Sequence, residues 1–345
     1  MRSRERGRNL RLYTLGEVAS RAKFGLARWV VLAALIIAVI VASALNQKRQ
    51  PSAQPNEAAR SPAPSLDAKA RDCVSLPSRC GYPDATNTGV AAGTTLRRVP
   101  QDVSSGPGWT WSGSSISAGD NAIVENLIIP GSVEVSGKNV IVRNNQFTVT
   151  GETWAVATRH AANVTISNNK IGVTGAPRLM VGIKDIYSDS TGTQIVANDI
   201  SNTSTGVQID QGLIAGNYIH DLGYKDGDHL NGITSNQSTG QLTIRGNTVL
   251  NNYSQTDAVS LFQDFGKQTD RLITGNLLAG GGYTIYGGDN RNYGVTSNIK
   301  ITNNRFSPTY YANSGYWGAV AYYDNAGTGN EFSGNIWDNN GQTVE

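Results

Sequence analysis

The sequence predicts an all-β fold, a right-handed parallel β-helix, carried behind an N-terminal transmembrane helix. Three observations predict it. A strand-sized motif ending in Asn recurs along the chain from residue 120 onward. The polar excess is Gly, Ser, Thr and Asn, with 39 glycines and only 16% charged residues, which suits turns and short strands rather than charged helices. Residues 29–47, WVVLAALIIAVIVASALNQ, carry no charge.

At a rise of about 1.5 Å per residue, this run nearly crosses a bilayer core of about 30 Å. Residues 1–28 hold eight Arg or Lys against Glu5 and Glu17, so the positive-inside rule places them in the cytoplasm as a basic tail. The chain from residue 48 is then extracellular, on a single-pass membrane anchor. The small-x-small triplet Ala42-Ser43-Ala44 makes a cleaved secretion signal the alternative, and both readings export the rest. Residues 48–71 mix Pro, Ala and Ser with scattered charge and no apolar period, the composition of a stalk. Cys73 and Cys80 are the only cysteines, and in an exported chain a lone close pair reads as a disulfide. It staples the segment 72–119, rich in Gly, Pro, Ser and Thr, which we expect to cap the domain that fills residues 120–345.

In that domain the motif reads apolar, any, apolar, two residues, Asn, any, apolar. Clear copies are VIVRNNQF around Asn145, VTISNNKI around Asn169, LTIRGNTV around Asn247 and IKITNNRF around Asn304. Looser copies centre on Asn126, Asn198, Asn217, Asn276 and Asn335, and successive positions are 19 to 31 residues apart. A repeat of this length indicates a solenoid. Alternating apolar residues fit strands with one face inward. Each Asn fits a tight corner, tolerating unusual backbone angles and bonding its amide to the Asn of the next coil. A leucine-rich repeat fits less well, because Leu does not dominate and no helical period appears. Nine coils at about 4.8 Å each make a rod of about 40 Å.

The net charge of +3 comes from the tail. From residue 118 onward there are 13 basic and 19 acidic residues. Such a surface lacks the basic face that nucleic acid needs.

Each coil holds a second strand upstream of its Asn strand. Aligning on Ile233 stacks Val156, Ile183, Val207, Ile233, Leu261, Ile285 and Val320 inward, and Lys184, Gln208, Thr234, Phe262, Tyr286 and Ala321 outward. This alignment sets His229 on Asp257. It gathers Lys184, Asp185, Asp210, Asp228, His229, Asn231, Asp257 and Asp264 on the middle coils, a face suited to a polymer. Within it, GDHLNGI (227–233) packs Asp228, His229 and Asn231 together; its Asn-Gly pair is also a hairpin-turn signal.

These strands, the entry CGYPDATNTGVAAGTTL (80–96) and GDHLNGI resemble the right-handed parallel β-helix proteins of the pectate-lyase-like superfamily, and more narrowly exported actinobacterial β-helix proteins. The resemblance covers residues 80–345. It implies the fold and a polysaccharide or cell-wall glycan partner. The polygalacturonases of this fold keep an acid where this chain has Asn231, and neither a Gly-His-Gly nor an Arg-Ile-Lys box is present. No Arg lies in residues 179–244 to match the arginine base of the pectate lyases.

Three chemistries fit the middle coils. A β-eliminating lyase takes Lys184 or His229 as base, with Ca²⁺ held by Asp228 and Asp257; a structural Ca²⁺ between Asp226, Asp228 and Asp257 is a separate expectation. A glycoside hydrolase takes Asp228 and Asp257 as its carboxylate pair. A non-catalytic binder needs rings and polar contacts, for which Phe262, Tyr286, Trp317, Tyr322 and Tyr323, with Asn231 and Asp264, are the candidates. The combined expectation is a membrane-anchored extracellular β-helix that binds polysaccharide, with two readings open: lyase-like cleavage centred on Asp228, His229, Asp257 and Lys184, or a non-catalytic glycan- or cell-wall-binding or structural surface protein.

Overall fold

A computed structural model describes residues 72–345. The basic tail, the apolar run 29–47 and the stalk lie outside the described residues. Among the described residues no helix is long and apolar enough to cross a membrane.

The chain from Arg97 onward winds through three long sheets of nine, ten and eleven strands. Each coil visits them in the same order. Sheet 1 holds the strands before each Asn corner, from Ile123–Glu125 to Glu331–Ser333. Sheet 2 follows the corner, from Arg97–Arg98 and Leu127–Ile129 to Ile336–Trp337. Sheet 3 closes the coil, from Ser132–Val135 to Gly318–Ala321. Successive coils pair in parallel throughout, so the expected β-helix is present as a parallel β-solenoid of about nine turns.

The core follows from alternation plus register. In sheet 1, Val142, Ile166, Ile195, Ile214, Ile244, Ile273 and Ile301 stack rung on rung. In sheet 2 the stack is Phe147, Ile171, Ile200, Ile219, Val249, Leu278 and Phe306. These fourteen side chains are buried to 1% exposure or less. Like shapes stacked at one strand spacing fill the interior without voids.

The corner asparagines form the expected ladder, with its two roles divided between neighbours. The residue before each ladder Asn takes the left-handed backbone: Asn144, Asn168, Ala197 and Asn303 at φ 53–55°, and Gly216, Gly246, Gly275 and Gly334 at φ 61–66°. The Asn itself turns inward. From Asn145 through Asn335 each side-chain NH₂ donates to the next Oδ1 at 2.9–3.0 Å. The same Oδ1 accepts the backbone N–H of the preceding ladder Asn at 2.9–3.1 Å. Asn126 does not belong to this ladder. It holds the left-handed position itself, at φ 57°, and Leu127 stands at the inward position, donating its N–H to Asn145 Oδ1 at 3.1 Å.

The segment expected to cap the domain divides in two. Cys73 and Cys80 form the predicted disulfide, and Cys73 N–H donates to Asp338 in the last coil at 2.9 Å. Farther on, Gly89 N–H donates to Ala197 O at 2.9 Å. Arg97 then pairs with Leu127 in the first coil. Residues 73–96 therefore run as a strap along the solenoid, from its last coil to its first. Only the following part covers the first coil, through the antiparallel strands Ser105–Gly106, Trp109–Trp111 and Ser115–Ala118 at the end of sheet 3.

In sheet 3 the expected register holds for Val156, Ile183, Val207 and Ile233. It slips by two residues in the next coil. Ile233 pairs with Val259, not Leu261, and Val259 pairs with Ile285. An even slip keeps the faces, which is why alternation alone does not reveal it. Asn231 consequently pairs with Asp257, which corrects the expected stacking of His229 on Asp257. Ser260, not Phe262, fills the rung between Thr234 and Tyr286.

The Asn231-Gly232 pair is no hairpin turn, because Asn231–Ser235 is a strand inside the parallel sheet. Gly232 is there for space. A Cβ would lie 2.3 Å from Val249 Cγ1 and 2.4 Å from the Ala258 carbonyl oxygen. Gly232→Ala is expected to lower stability by about 1–3 kcal/mol through overpacking, read as a lowered urea midpoint with unchanged slope.

Candidate functional site

The side chains expected to form one site occupy three separate environments. Asp228 is held in an ion pair. Arg178, immediately before the strand Leu179–Asp185, sends Nε to Oδ2 at 2.7 Å and Nη2 to Oδ1 at 2.6 Å. Ser204 Oγ adds a bond at 2.6 Å and Lys225 N–H another at 3.0 Å. Burial pushes the Asp228 carboxyl up, but the Arg178 and Ser204 hydrogen bonds outweigh it and hold it below the usual carboxylate range. With the guanidinium 5% and the carboxylate 14% exposed, this is an anchor for the connection 221–230. Arg178→Gln is expected to cost about 2–3 kcal/mol, the range for hydrogen bonds to charged groups, and to make that connection more susceptible to proteolysis. Cleavage no faster than in the wild type would contradict the anchoring role.

Asp257 is completely buried, and neither carboxylate oxygen has a hydrogen-bond partner. Burial drives its carboxyl well above the usual range, while the Ser260 hydroxyl donates to Thr234 Oγ1 at 3.0 Å. Asn231, its rung neighbour, is 8% exposed and also leaves its Oδ1 unpartnered. Asp257 therefore does not stand on an open face beside His229. The expected calcium trio does not fit either. Asp228 spends both oxygens on Arg178, Asp257 is sealed, and Asp226 is exposed in the connecting loop. Among the described residues no group of three or more His, Cys, Asp or Glu side chains is arranged to hold a metal ion.

Lys184 and Asp264 do meet, in a cleft of about 270 Å³ at the exit edge of sheet 3. Lys184 projects from the strand Leu179–Asp185, beside Gln208 on the next rung. Asp185 and Asp210 also line the cleft, as do Asn236 and Phe265. Asp185 is tied to Ser190 through its N–H at 3.0 Å and its hydroxyl at 2.9 Å. Asp210 accepts Ser235 Oγ at 2.9 Å and Asn236 N–H at 2.7 Å. The Asp264 carboxyl is raised by burial first and then by the charge of Asp210, with His229 pulling it the other way. His229 itself is exposed, and its imidazole makes no hydrogen bond among the described residues. Sequence reasoning placed Asp185 and Asp210 on this face but not in its site. Each sits where the chain leaves the sheet and the repeat becomes irregular, so no alternation marks it.

A broader groove of about 730 Å³ lies nearer the first coil, lined by Trp111, Glu134, Val149, Thr153 and Arg159. Glu134 accepts from Trp154 Nε1 at 2.6 Å and from Arg159 Nε at 3.1 Å. The Arg159 guanidinium lies 5.5 Å from the Trp154 ring centre and 5.8 Å from that of Tyr187, in the range of cation–π attraction.

The exposed rings are distributed unevenly. Among the described residues the exposed aromatic side chains are Tyr187, Phe265, Tyr293, Tyr316, Trp317 and Tyr322, each more than half exposed. Tyr316, Trp317 and Tyr322 border the sheet 3 strand Gly318–Ala321, and Tyr187 follows Leu179–Asp185, while Phe265 and Tyr293 lie in the connections that leave sheet 3 for the sheet 1 strands Thr269–Thr274 and Ser297–Thr302. Tyr286 is half-buried among them, 5.3 Å from Phe262 and 5.9 Å from Tyr322 between ring centres.

No family model, no curated protein and no solved structure matches this chain.

Proposed function

We propose that this is an exported, membrane-anchored β-helix protein of the pectate-lyase-like kind that binds a polysaccharide along sheet 3. The observation that carries the reading is the placement of all six exposed rings at strand ends of sheet 3 or in the connections that leave it. Rings with one free face suit the apolar faces of sugars, and the polar rungs between them supply hydrogen bonds. Both clefts border the same sheet, the broader one chiefly where its first strands begin and the smaller one where its middle strands leave. The anchor and the extracellular location rest on the apolar run 29–47 and its basic flank.

Binding without cleavage is the reading the geometry favours. A hydrolase needs two accessible carboxylates about 5–10 Å apart, whereas Asp257 is sealed and Asp228 is occupied by Arg178. For β-elimination, Lys184 is the base candidate that lies in a cleft. A polysaccharide panel presented to the detergent-solubilised full chain tests the proposal. We expect retention on at least one glycan, weakened about tenfold when Trp317→Ala and Tyr322→Ala are combined, equivalent to about 1.4 kcal/mol. Retention on no glycan would refute it. Release of products absorbing as unsaturated uronic acids, abolished by Lys184→Ala, would restore the lyase.

A further inference from the structure

The cleft between Lys184 and Asp264 carries enough chemistry to name its ligand class, on the footing of the glycan-binding proposal. We infer that it takes a glycan bearing free amino groups and disfavours polyuronates.

Three carboxylates, Asp185, Asp210 and Asp264, line the cleft with one ammonium, Lys184. No ion pair within 4.0 Å joins Lys184 to any of them among the described residues, so the negative charge is not neutralised internally. Two carboxylates already have work. Asp185 holds Ser190, and Asp210 holds Ser235 and Asn236, which fixes both side chains in the wall. Asp264 differs. Its backbone N–H donates to Asn236 O at 3.1 Å, while its carboxylate, partly open at the cleft, accepts no hydrogen bond among the described residues. It is the acceptor left for a ligand.

The cleft's own chemistry indicates the sign of that ligand. Burial and then the Asp210 charge already oppose ionisation of Asp264. A uronate brought into the same space meets the same opposition, whereas an ammonium relieves it. The acidic balance of the solenoid from residue 118 onward works in the same direction at longer range. Phe265, 66% exposed and next in sequence to Asp264, offers a ring face beside the acceptor. Together they make a subsite with one stacking surface and one free carboxylate. Its volume falls just below the range of about 300–1,000 Å³ typical of sites that enclose a whole drug-sized ligand, so it suits one unit of a longer chain.

The test compares three oligosaccharides of equal length on the detergent-solubilised full chain: a free-amine hexosamine oligomer, its N-acetylated counterpart and an oligogalacturonate. The expected result is that the free-amine oligomer binds at least about tenfold tighter than the oligogalacturonate. Asp264→Asn should then bring it close to the N-acetylated form, while Asp289→Asn, outside the cleft, leaves the order unchanged. Tightest binding of the oligogalacturonate overturns the inference and leaves the glycan proposal standing. Equal binding of the amine and N-acetylated forms, insensitive to Asp264→Asn, does the same. Failure of these three and of every polysaccharide in the wider panel removes the glycan proposal and the inference with it.

Discussion

Asn217→Ala is expected to destabilise the solenoid by about 4 kcal/mol, because it strands several buried groups at once, each costing about 1–3 kcal/mol when unpaired. Asn217 is fully buried. Its Oδ1 accepts both the backbone N–H and the side-chain NH₂ of Asn198, each at 2.9 Å. Its own NH₂ donates to Ile195 O at 2.9 Å and to Asn247 Oδ1 at 3.0 Å. Alanine removes these four bonds and a fifth, to Ala215 O at 3.2 Å, and strands their partners among packed aliphatic rungs. A second ladder supplies the control. Asn139 and Asn163 donate to Asn121 and Asn139 at 3.2 Å, but these side chains are exposed. Asn139→Gly keeps the left-handed backbone at φ 57°, and water replaces the lost bonds. Its expected cost is under about 1 kcal/mol. Urea denaturation of both variants checks the contrast; equal losses would mean that burial of the inner ladder does not set its worth.

Asp257 should make the protein less stable as the pH rises. Its folded carboxyl is held well above the usual range by burial, while in the unfolded chain it titrates near pH 4. Between those two values the folded state keeps a proton that the unfolded state has released. Stability then falls by about 1.4 kcal/mol per pH unit, starting near pH 4 and ending at the folded value. Asp257→Asn cannot ionise and should remove that slope. At neutral pH the variant should be more stable than the wild type, since an uncompensated buried acid is replaced by a neutral amide of like shape. Melting temperatures from pH 4 to 8 check this. An unchanged slope in the variant would mean that Asp257 is ionised and compensated in the fold.

These two positions also show what the sequence carries and what it leaves hidden. The inner ladder is legible because its geometry demands one residue type at one place: only Asn presents both an acceptor and two donors at that reach. The β-helix, the disulfide and most of the sheet 3 register follow from similarly local demands. Asp257 was misplaced because a two-residue change in the connection before its strand leaves the alternation intact. Arg178 was missed as the partner of Asp228 because the two lie 50 residues apart, and only the stacking of coils brings them together. Asn126 resembles a ladder residue in sequence because the corner uses Asn for two purposes, a left-handed backbone and an inward amide, and one residue spacing does not separate them. The strap formed by residues 73–96 left no mark, since it packs lengthwise across coils whose sequence says nothing of it.

Sheet 3 as the glycan-binding surface is the central claim, and oxidative footprinting of the full chain with and without a bound polysaccharide tests it most directly. All six exposed rings should react in the free protein. With ligand bound, Tyr187, Phe265, Tyr293, Tyr316, Trp317 and Tyr322 should be protected as a group, while residues on the outer faces of sheets 1 and 2 keep their reactivity. Protection confined to sheets 1 and 2, with these rings still reactive under saturating ligand, would contradict the account.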